Sequence, residues 1–585
     1  MVVTRLDGAM GTENPGTVSV FGGGLFGLTK SLNQEWAKVY CRGVDLAPEL
    51  KAEMASERIL AELNDADQCI VDTCYNTDGN RYTLLAAKMP DVDSAKLNTK
   101  VQASDVFLVS GGGRGVTATC VLEMASAYKC KFIIVGRSDL TDEEPGWAEN
   151  IAETDKLKRR AMEELKAAGE KPLPKTVMSM VGAVQADREI KGTLAGIRKN
   201  GGEAYYISAD VTDTASLTSK VADGVEKMGA ITGIVHGAGR LADKLIENKT
   251  EADFDAVYDV KIKGLLSIVQ AVDINQIKRV VLFSSVAGFY GNTGQTDYAI
   301  ANEILNRAAH LFRKNHPDIH TVSINWGAWD SGMVSPELKK IFDDYHVSLV
   351  PTDEGPKAMV DQMSEKYETQ VQVILGSTLP MAKTHTDGPL TTHRIHRTLL
   401  ESANPFLKHH VIQGNAVLPI INASTWMAQT AADLYPGFHL FKAEKVKLFK
   451  GIVFDGNQAD DYVVTIKELT KNEEVVSVEV TISSENGATL PTNHYQAVIS
   501  LSSGRPEAPI MPLPDLSMIE VVQDDASGIY TDGTLFHGTD FQGVKKILQL
   551  DDDGVLLLCE HEGVSDQRQG QFPVKDLNVF LTDVM

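Results

Sequence analysis

The residues in this chain best suited to chemistry sit in two groups. In the first, a strand-like run, VFLVS, passes directly into Ser110-Gly111-Gly112-Gly113-Arg114-Gly115-Val116-Thr117 and then into a helical pattern, Ala118 to Ala127. Glycines let a backbone approach a pyrophosphate, and the N-terminus of the following helix offers free N–H groups and a positive dipole to it. After the second strand, where a free ribose would call for a carboxylate, the sequence reads VGRS. Arg137 there and Arg114 in the turn suit a 2′-phosphate, which guanidinium groups bind by charge-assisted and often bidentate hydrogen bonds. NADPH is therefore expected over NADH. In the second group, Ser284-Ser285 ends the strand RVVLF, Tyr298 follows Ser285 by thirteen residues, and Asn302 follows Tyr298 by four on the same helix face. Lys261 precedes that strand.

These residues need a scaffold that brings strand ends and helix starts together. From Val101 the runs VFLVS, KFIIV, AYYIS, ITGIV, RVVLF, HTVSIN and VQVILG alternate with longer helical patterns. That alternation predicts βαβ units and a doubly wound parallel sheet, an α/β fold. One connection is long for such a unit, residues 139–200, and reads as a solvated helical insertion. A polar stretch from 381 to 398 reads as a linker. Beyond it, VVTIKEL, VVSVEVTISS and YQAVISLSS alternate with period two, which predicts a second, β-rich fold over 399–585.

The segment FSSVAGFYGNTGQTDYAIAN, with Lys261 in VYDVKIKG, resembles the short-chain-dehydrogenase ketoreductases of polyketide and fatty acid megasynthases. The resemblance implies a Rossmann-like catalytic domain over 99–380. It assigns Ser285 to the substrate carbonyl oxygen, Tyr298 to proton donation, Lys261 to favouring the tyrosinate and orienting the ribose, and Asn302 to holding Lys261 or a relay water. Together these parts fit hydride reduction of a ketone. The glycine turn resembles T-G-x-x-x-G-x-G, with Thr117 where the final Gly stands, a departure that puts helix–strand closeness in question. Asp210-Val211 and Gly237-Ala238-Gly239 fall where the family makes its adenine and adjacent backbone contacts. The Leu241-Ala242-Asp243 loop resembles the Leu-Asp-Asp of B-type members, which implies a (3R)-hydroxyacyl product.

Residues 1–98 resemble the degenerate, non-catalytic half of such ketoreductases. GGGLFGLTKS within them reads as a packing element, because no catalytic set follows it. Beyond 400, HHVIQGNAVLP, LFHGTDFQG and LNVFLTDVM resemble hot-dog dehydratases of megasynthases. This implies a catalytic pair, His410 to take an α-proton and Asp583 to hold the departing hydroxyl. The order of domains, reductase before dehydratase, most resembles the polyunsaturated fatty acid (PUFA) synthases, with carrier-protein domains and other synthase domains as partners and a homodimer as the assembly. The resemblance also implies a fragment of a longer polypeptide, in which Asp583 would lie on a frayed end out of reach of His410. Two other readings stay open: a reductase of a free small metabolite, and a catalytically silent scaffold that binds carrier protein.

Bulk properties narrow the classes. A net charge of −23 opposes a nucleic-acid surface. No apolar run is long enough for a membrane helix, and residues 1–16 lack the apolar stretch of a secretory signal, so a cytoplasmic location is expected. The six cysteines form no C-x-x-C pair and the histidines no zinc-type spacing, so neither disulfides nor a metal site are expected.

Overall fold

A computed structural model describes residues 1–14, 19–36, 39–65, 70–87, 99–330, 342, 347–377, 388–435, 437–456, 461–484, 491–504, 521–552, 554–571 and 578–583. The chain forms two compact units, residues 1–59 with 70–380, and 60–69 with 381–585.

The first unit holds two sheets. β1 (Val2–Thr4), β2 (Gly43–Leu46) and β3 (Asp72–Tyr75) are parallel, with β4 (Arg81–Tyr82) antiparallel at the edge. The larger sheet contains β5 (Val106–Ser110), β6 (Lys131–Gly136), β7 (Glu203–Ser208), β8 (Gly233–His236), β9 (Arg279–Ser285), β10 (His320–Trp326) and β11 (Gln372–Leu375). All its pairings are parallel, in the order β11-β10-β9-β8-β5-β6-β7. Chain order reverses between β5 and β8, so ligands are expected in the crevice at the carboxyl ends of those strands. The strands are apolar on both faces because helices cover both sides: Leu108, Ile133, Val135 and Ile234 face one core, Val109, Phe132, Ile134 and Val235 the other.

Two glycine-rich stretches have different uses. GGGLFGLTKS lies mainly in helix α1 (Gly24–Glu35), which packs on a later long helix carrying Tyr298. A Cβ on Gly27 would lie 2.4 Å from the carbonyl oxygen of Ala299, so the glycine permits direct backbone contact. This is packing, as the sequence suggested. The long connection after β6 differs from expectation. Its helices α2 (Thr154–Ala167) and α3 (Pro174–Lys199) share a small core of their own through Leu157, Ala161, Leu165, Val177 and Val181. Past about residue 187, however, α3 is the ordinary crossover helix: Ile190, Leu194 and Ile197 pack on the sheet, and the Thr193 hydroxyl donates to the carbonyl of Gly113 at 2.9 Å. The insertion thus ends short of 200, because one unbroken 26-residue helix serves both roles.

The helix under Tyr298, α4 (Thr296–Asn315), is fixed from behind by buried charges. Glu303 pairs with Arg307 and, at 3.3 Å, with Lys30 of α1; Lys30 reaches Asp72 of β3 at 2.7 Å. Asn306 donates a further hydrogen bond to Glu303 at 2.7 Å. Burial acts to raise the Glu303 carboxyl, but the Arg307 and Lys30 cations outweigh it and hold it below the ordinary value.

The second unit lays the helix Ile420–Asp433 against a five-stranded antiparallel sheet, formed by 392–398, 461–471, 475–484, 492–502 and 439–448 in that order. Ala423, Met427 and Ala431 of the helix pack with Val464, Ile466, Val478, Val480 and Ile499 of the sheet. Residues 392–398 were expected in a linker. They form an edge strand paired with 461–467, whose polar sequence, THRIHRT, places only Ile395 in the core and so reads as loop. Residues 381–387 of that expected linker lie outside the described residues. Cys41, Cys74, Cys120, Cys130 and Cys559 are free thiols, while Cys69 lies outside the described residues.

Replacing Glu303 by Gln leaves Arg307 and Lys30 buried without their shared anion. Losing one partner of a buried ion cluster costs about 3–5 kcal/mol. Calorimetric unfolding of the variant should show that loss in the transition of the first unit; an unchanged transition would mean the cluster contributes no net stability.

Candidate functional site

The glycine-rich turn leaves β5 at Ser110 and enters the helix Gly115–Tyr128, with Arg114 at its N-cap. Gly111 takes a left-handed φ of +72°, and a Cβ there would meet the backbone of Ala238 at 3.0 Å. Gly112, Gly113, Gly115 and Val116 complete the turn, and a Cβ placed on Gly115 would find nothing within 4 Å, so the helix N-terminus opens on space. Thr117 fits although the family pattern has Gly. Its bulk is accommodated by the facing loop, where a Cβ on Gly237 would lie 2.3 Å from the Thr117 hydroxyl oxygen. The absence of a side chain at Gly237 thus makes room for Thr117. Arg114 and Arg137 are both exposed at the rim. The Asp210 carboxyl is held below its usual value, first by the Thr212 backbone N–H and, further down, by Arg137. Val211 beside it is buried, and Ala238 and Gly239 continue the neighbouring loop.

Lys261 stands on a π-helical turn, Asp259–Lys263, between two α-helical segments. Such turns are rare and frequent at functional sites. Here the Lys261 carbonyl accepts from His236 Nε2 at 2.8 Å, His236 Nδ1 lies 2.8 Å from the Ser110 hydroxyl, and that hydroxyl accepts from the Ala238 N–H at 3.2 Å. The pattern fixes His236 as the neutral Nε2–H tautomer. Burial, with the Lys261 charge adding to it, pulls His236 down to about 3, so the ring stays neutral. Sequence reasoning missed His236; its only signal was a polar residue ending an apolar strand, directly before Gly237.

The Lys261 ammonium donates to the carbonyl of Phe283 at 2.9 Å and lies 5.4 Å from the centre of the Tyr298 ring. Burial pulls Lys261 down to about 7. Burial raises the Tyr298 phenol, while hydrogen bonds from Asn302 and Ser285 act against that shift. Ser285 caps the short helix Val286–Tyr290, its Oγ accepting from the Ala287 N–H at 3.2 Å. Ser284 points the other way, donating to the Asn302 carbonyl. Asn302 donates to the Tyr298 carbonyl at 2.8 Å, and its buried Oδ1 has no protein partner. Asn302 is therefore held by the Tyr298 backbone, and the orphaned oxygen is the atom left to face a water or Lys261. The structure brings Ser285, Tyr298, Lys261 and Asn302 to one place. Two further residues adjoin them: Lys249 bonds the Ala242 carbonyl at 2.8 Å and pairs with buried Asp297 at 2.9 Å, which ties the 241–243 loop to the start of α4.

In the second unit, His410 and Asp583 are close, contrary to the expectation of a frayed end. His410 Nε2 is 3.7 Å from Asp583 Oδ2, and His537 Nε2 is 3.3 Å from the same oxygen. The tail is tied down by Val579 and Phe580, which are buried against Phe406 and Phe541. His410 Nδ1 meets the Val417 carbonyl at 2.8 Å and so carries the proton, leaving Nε2 with its lone pair. Burial lowers the His410 pKa, with Asp583 acting in the opposite sense. No metal-ligand spacing was found along the sequence, yet folding gathers three donors from positions far apart.

Residues 105–331 match the family model described as "KR domain". A polyunsaturated fatty acid synthase subunit of Thraustochytrium sp. is 35% identical over 97% of this chain, which spans 20% of that relative. Polyketide synthase PksN of Bacillus subtilis is 26% identical over 60% of the chain, 6% of its own length. A solved structure titled as an A1-type ketoreductase is 18% identical with a TM-score of 0.50, covering 64% of this chain and 68% of its own; that likeness is one of fold. Among the described residues no helix is long and apolar enough to cross a membrane.

Burial lowers Lys261 from 10.5 to about 7, so between those values the unfolded chain binds a proton that the folded chain does not. Stability should therefore rise with pH across that window. Lys261→Met should be more stable than the parent at pH 7 and should show a flatter dependence from pH 7 to 10, both readable from thermal melts.

Proposed function

Because residues 105–331 form a ketoreductase (KR) domain and the chain matches a polyunsaturated fatty acid synthase over most of its length, we propose that it reduces a 3-ketoacyl group, tethered to an acyl carrier protein, to the (3R)-hydroxyacyl form with NADPH. The observation that carries this reading is the Lys261 ammonium 5.4 Å from the centre of the Tyr298 ring. NADPH fits the turn: the left-handed Gly111, the open space at Gly115 and the rim guanidinium groups of Arg114 and Arg137 make a cradle for a pyrophosphate and a 2′-phosphate. When bound, NADPH supplies the hydride for the carbonyl carbon.

The chain's own residues supply the rest. The Ser285 hydroxyl donates to the substrate oxygen, which polarises the carbonyl. Tyr298, kept protonated by burial, gives its phenolic proton to that oxygen as negative charge develops there. Lys261, held by the Phe283 carbonyl, stabilises the resulting tyrosinate. Lys249 and Asp297 tie the Leu241-Ala242-Asp243 loop to the start of α4, and the likeness of that loop to the Leu-Asp-Asp of B-type members supports the 3R outcome. The remaining domains of the synthase, and the carrier protein among them, are the partners this reading implies.

A second reading is favoured for residues 399–585 by the His410–Asp583 approach of 3.7 Å. In it this region is a hot-dog dehydratase unit. His410, with its Nε2 lone pair free, takes the α-proton of the hydroxyacyl product, and Asp583 holds the departing hydroxyl.

The reductase reading is tested by following NADPH oxidation with a β-ketoacyl thioester. Tyr298→Phe should lower kcat by ~10²–10⁴, the usual worth of general acid catalysis, and chiral chromatography of the parent's product should give the 3R alcohol. Full turnover by the Phe variant, or a 3S product, would sink the assignment concerned.

Cofactor choice has its own test. Arg137→Ala should raise KM for NADPH at least tenfold while leaving KM for NADH nearly unchanged. Equal losses with both would make Arg137 a structural residue.

A further inference from the structure

Building on the reductase reading, we propose that Glu35 of α1 is a positioning residue for the substrate: its carboxylate fastens the loop 241–247 to the turn that leads into Tyr298, and so helps to decide which face of the ketone meets the phenol. The two segments lie 211 and 259 residues further along the chain.

The turn 291–295 joins the short helix capped by Ser285 to α4. Gly291 and Gly294 in it both take left-handed φ values, +77° and +78°. A Cβ on Gly291 would lie 2.5 Å from the backbone carbon of Lys30, so the turn rests with its main chain directly on α1. With two glycines in five residues it offers few side chains for packing, and α1 holds it by its amides. The Asn292 N–H donates to Ser31 Oγ at 3.2 Å, and the Gly294 N–H donates to Glu35 Oε1 at 2.8 Å.

The loop 241–247 is exposed apart from the half-buried Ala242 and Ile246, so polar tethers hold it in place of a core. The Ile246 N–H donates to Glu35 Oε2 at 2.8 Å, and the Lys244 N–H donates to the Gly294 carbonyl at 2.9 Å. Gln295, three residues before Tyr298, donates to Asp243 at 3.0 Å. Burial first, and then the Asp243 charge, raise the Tyr298 phenol, so the loop comes within electrostatic reach of the reacting proton.

One carboxylate therefore accepts from both segments, with one oxygen for each. Hydrogen bonds to an ionised acceptor are roughly twice as strong as neutral ones, and two acceptors on one planar group leave the segments little freedom to part. The neighbouring Trp36 adds an indole N–H to Glu247 at 2.9 Å, so the same end of α1 touches the loop twice. Ser285, Tyr298 and Lys261 have separate supports, in the Ala287 N–H, Asn302 and the Phe283 carbonyl. Shifting the loop against the turn would thus redirect a bound acyl chain while leaving the reacting groups in place.

Glutamine is the informative replacement. It keeps the size of the side chain but has a single acceptor oxygen, and its NH₂ would face an N–H from which it cannot accept.

The test compares the full chain with Glu35→Gln and with Asn33→Ala, a control on the same helix whose side chain accepts from the Cys41 N–H. With NADPH and a β-ketoacyl thioester, Glu35→Gln should raise KM for the thioester about tenfold, the weight of one hydrogen bond to a charged group, and change kcat by less than about threefold. KM for NADPH should not move, and chiral chromatography should show the opposite enantiomer added to the parent's product. Amide hydrogen exchange should quicken in 241–247 and 291–295 together but not in α1. Asn33→Ala should match the parent in thioester KM and product chirality. Parent-like thioester KM and optical purity in Glu35→Gln overturn the proposal and leave the reductase reading standing. An equal loss in kcat and both KM values, with a lowered melting temperature, would make Glu35 merely structural and overturn it as well. If the parent itself leaves NADPH unoxidised, the reductase reading fails first and the role of Glu35 falls with it.

Discussion

The geometry of the candidate site in the first unit depends on a largely buried charge cluster. Glu303 on α4 is compensated by Arg307 one turn on and by Lys30 from α1, which is itself held by Asp72 of the smaller sheet. Buried charges tolerate little displacement, because each ångström of separation is lost in a low-dielectric medium. The cluster therefore fixes both the rotation of α4 about its axis and its depth against α1, where Gly27 meets the Ala299 carbonyl. Tyr298 and Asn302 stand on the adjoining face of the same helix. Residues of α1 and β3, distant in sequence, thus help to position the helix that carries Tyr298.

The lysine side is positioned by a different device. Lys261 stands on a π-turn with its side chain buried, and its carbonyl accepts from both the Gly264 N–H and His236 Nε2, a ring that also touches Ser110 at the start of the glycine turn. Glycine turn, strand end and the Lys261 backbone are then linked by hydrogen bonds through one neutral ring. Charging that ring would remove its acceptor nitrogen and break the link, which explains why an imidazole is used in a place where burial keeps it neutral. Burial acts on Lys261 in the same sense, its buried ammonium donating to the Phe283 carbonyl.

The strands of the larger sheet, the glycine turn and the Ser285/Tyr298/Lys261/Asn302 set were legible because they rest on local signals: period, turn chemistry and fixed spacing along one helix. What escaped was non-local or atypical. The π-turn carries no residue signature, and His236 reads as the end of a strand. Residues 392–398 are half-exposed at an edge, so their THRIHRT sequence shows almost no alternation of polarity. The helix 174–199 hides the join between insertion and crossover because nothing in its sequence breaks it. The approach of His537 and Asp583 to His410 arises from chain segments that meet only after the core of Phe406, Phe541 and Phe580 has formed. No spacing rule along the chain could supply it.

The Thr117/Gly237 contact has a consequence for how this domain can change over generations. The space filled by the Thr117 side chain is space that a residue at 237 cannot use, since even a β-carbon there would overlap the hydroxyl. The two positions therefore form a lock with an ordered release: 237 can gain a side chain only after 117 has shrunk, whereas 117 can shrink at any time. A segment grafted from a relative with glycine at the first position and a larger residue at the second would arrive with a compatible pair. Grafting only the second half would not. Among chimaeras joined between residues 117 and 237, those that keep Thr117 and take the larger residue at 237 should accordingly be rare, whereas the reciprocal chimaeras should fold.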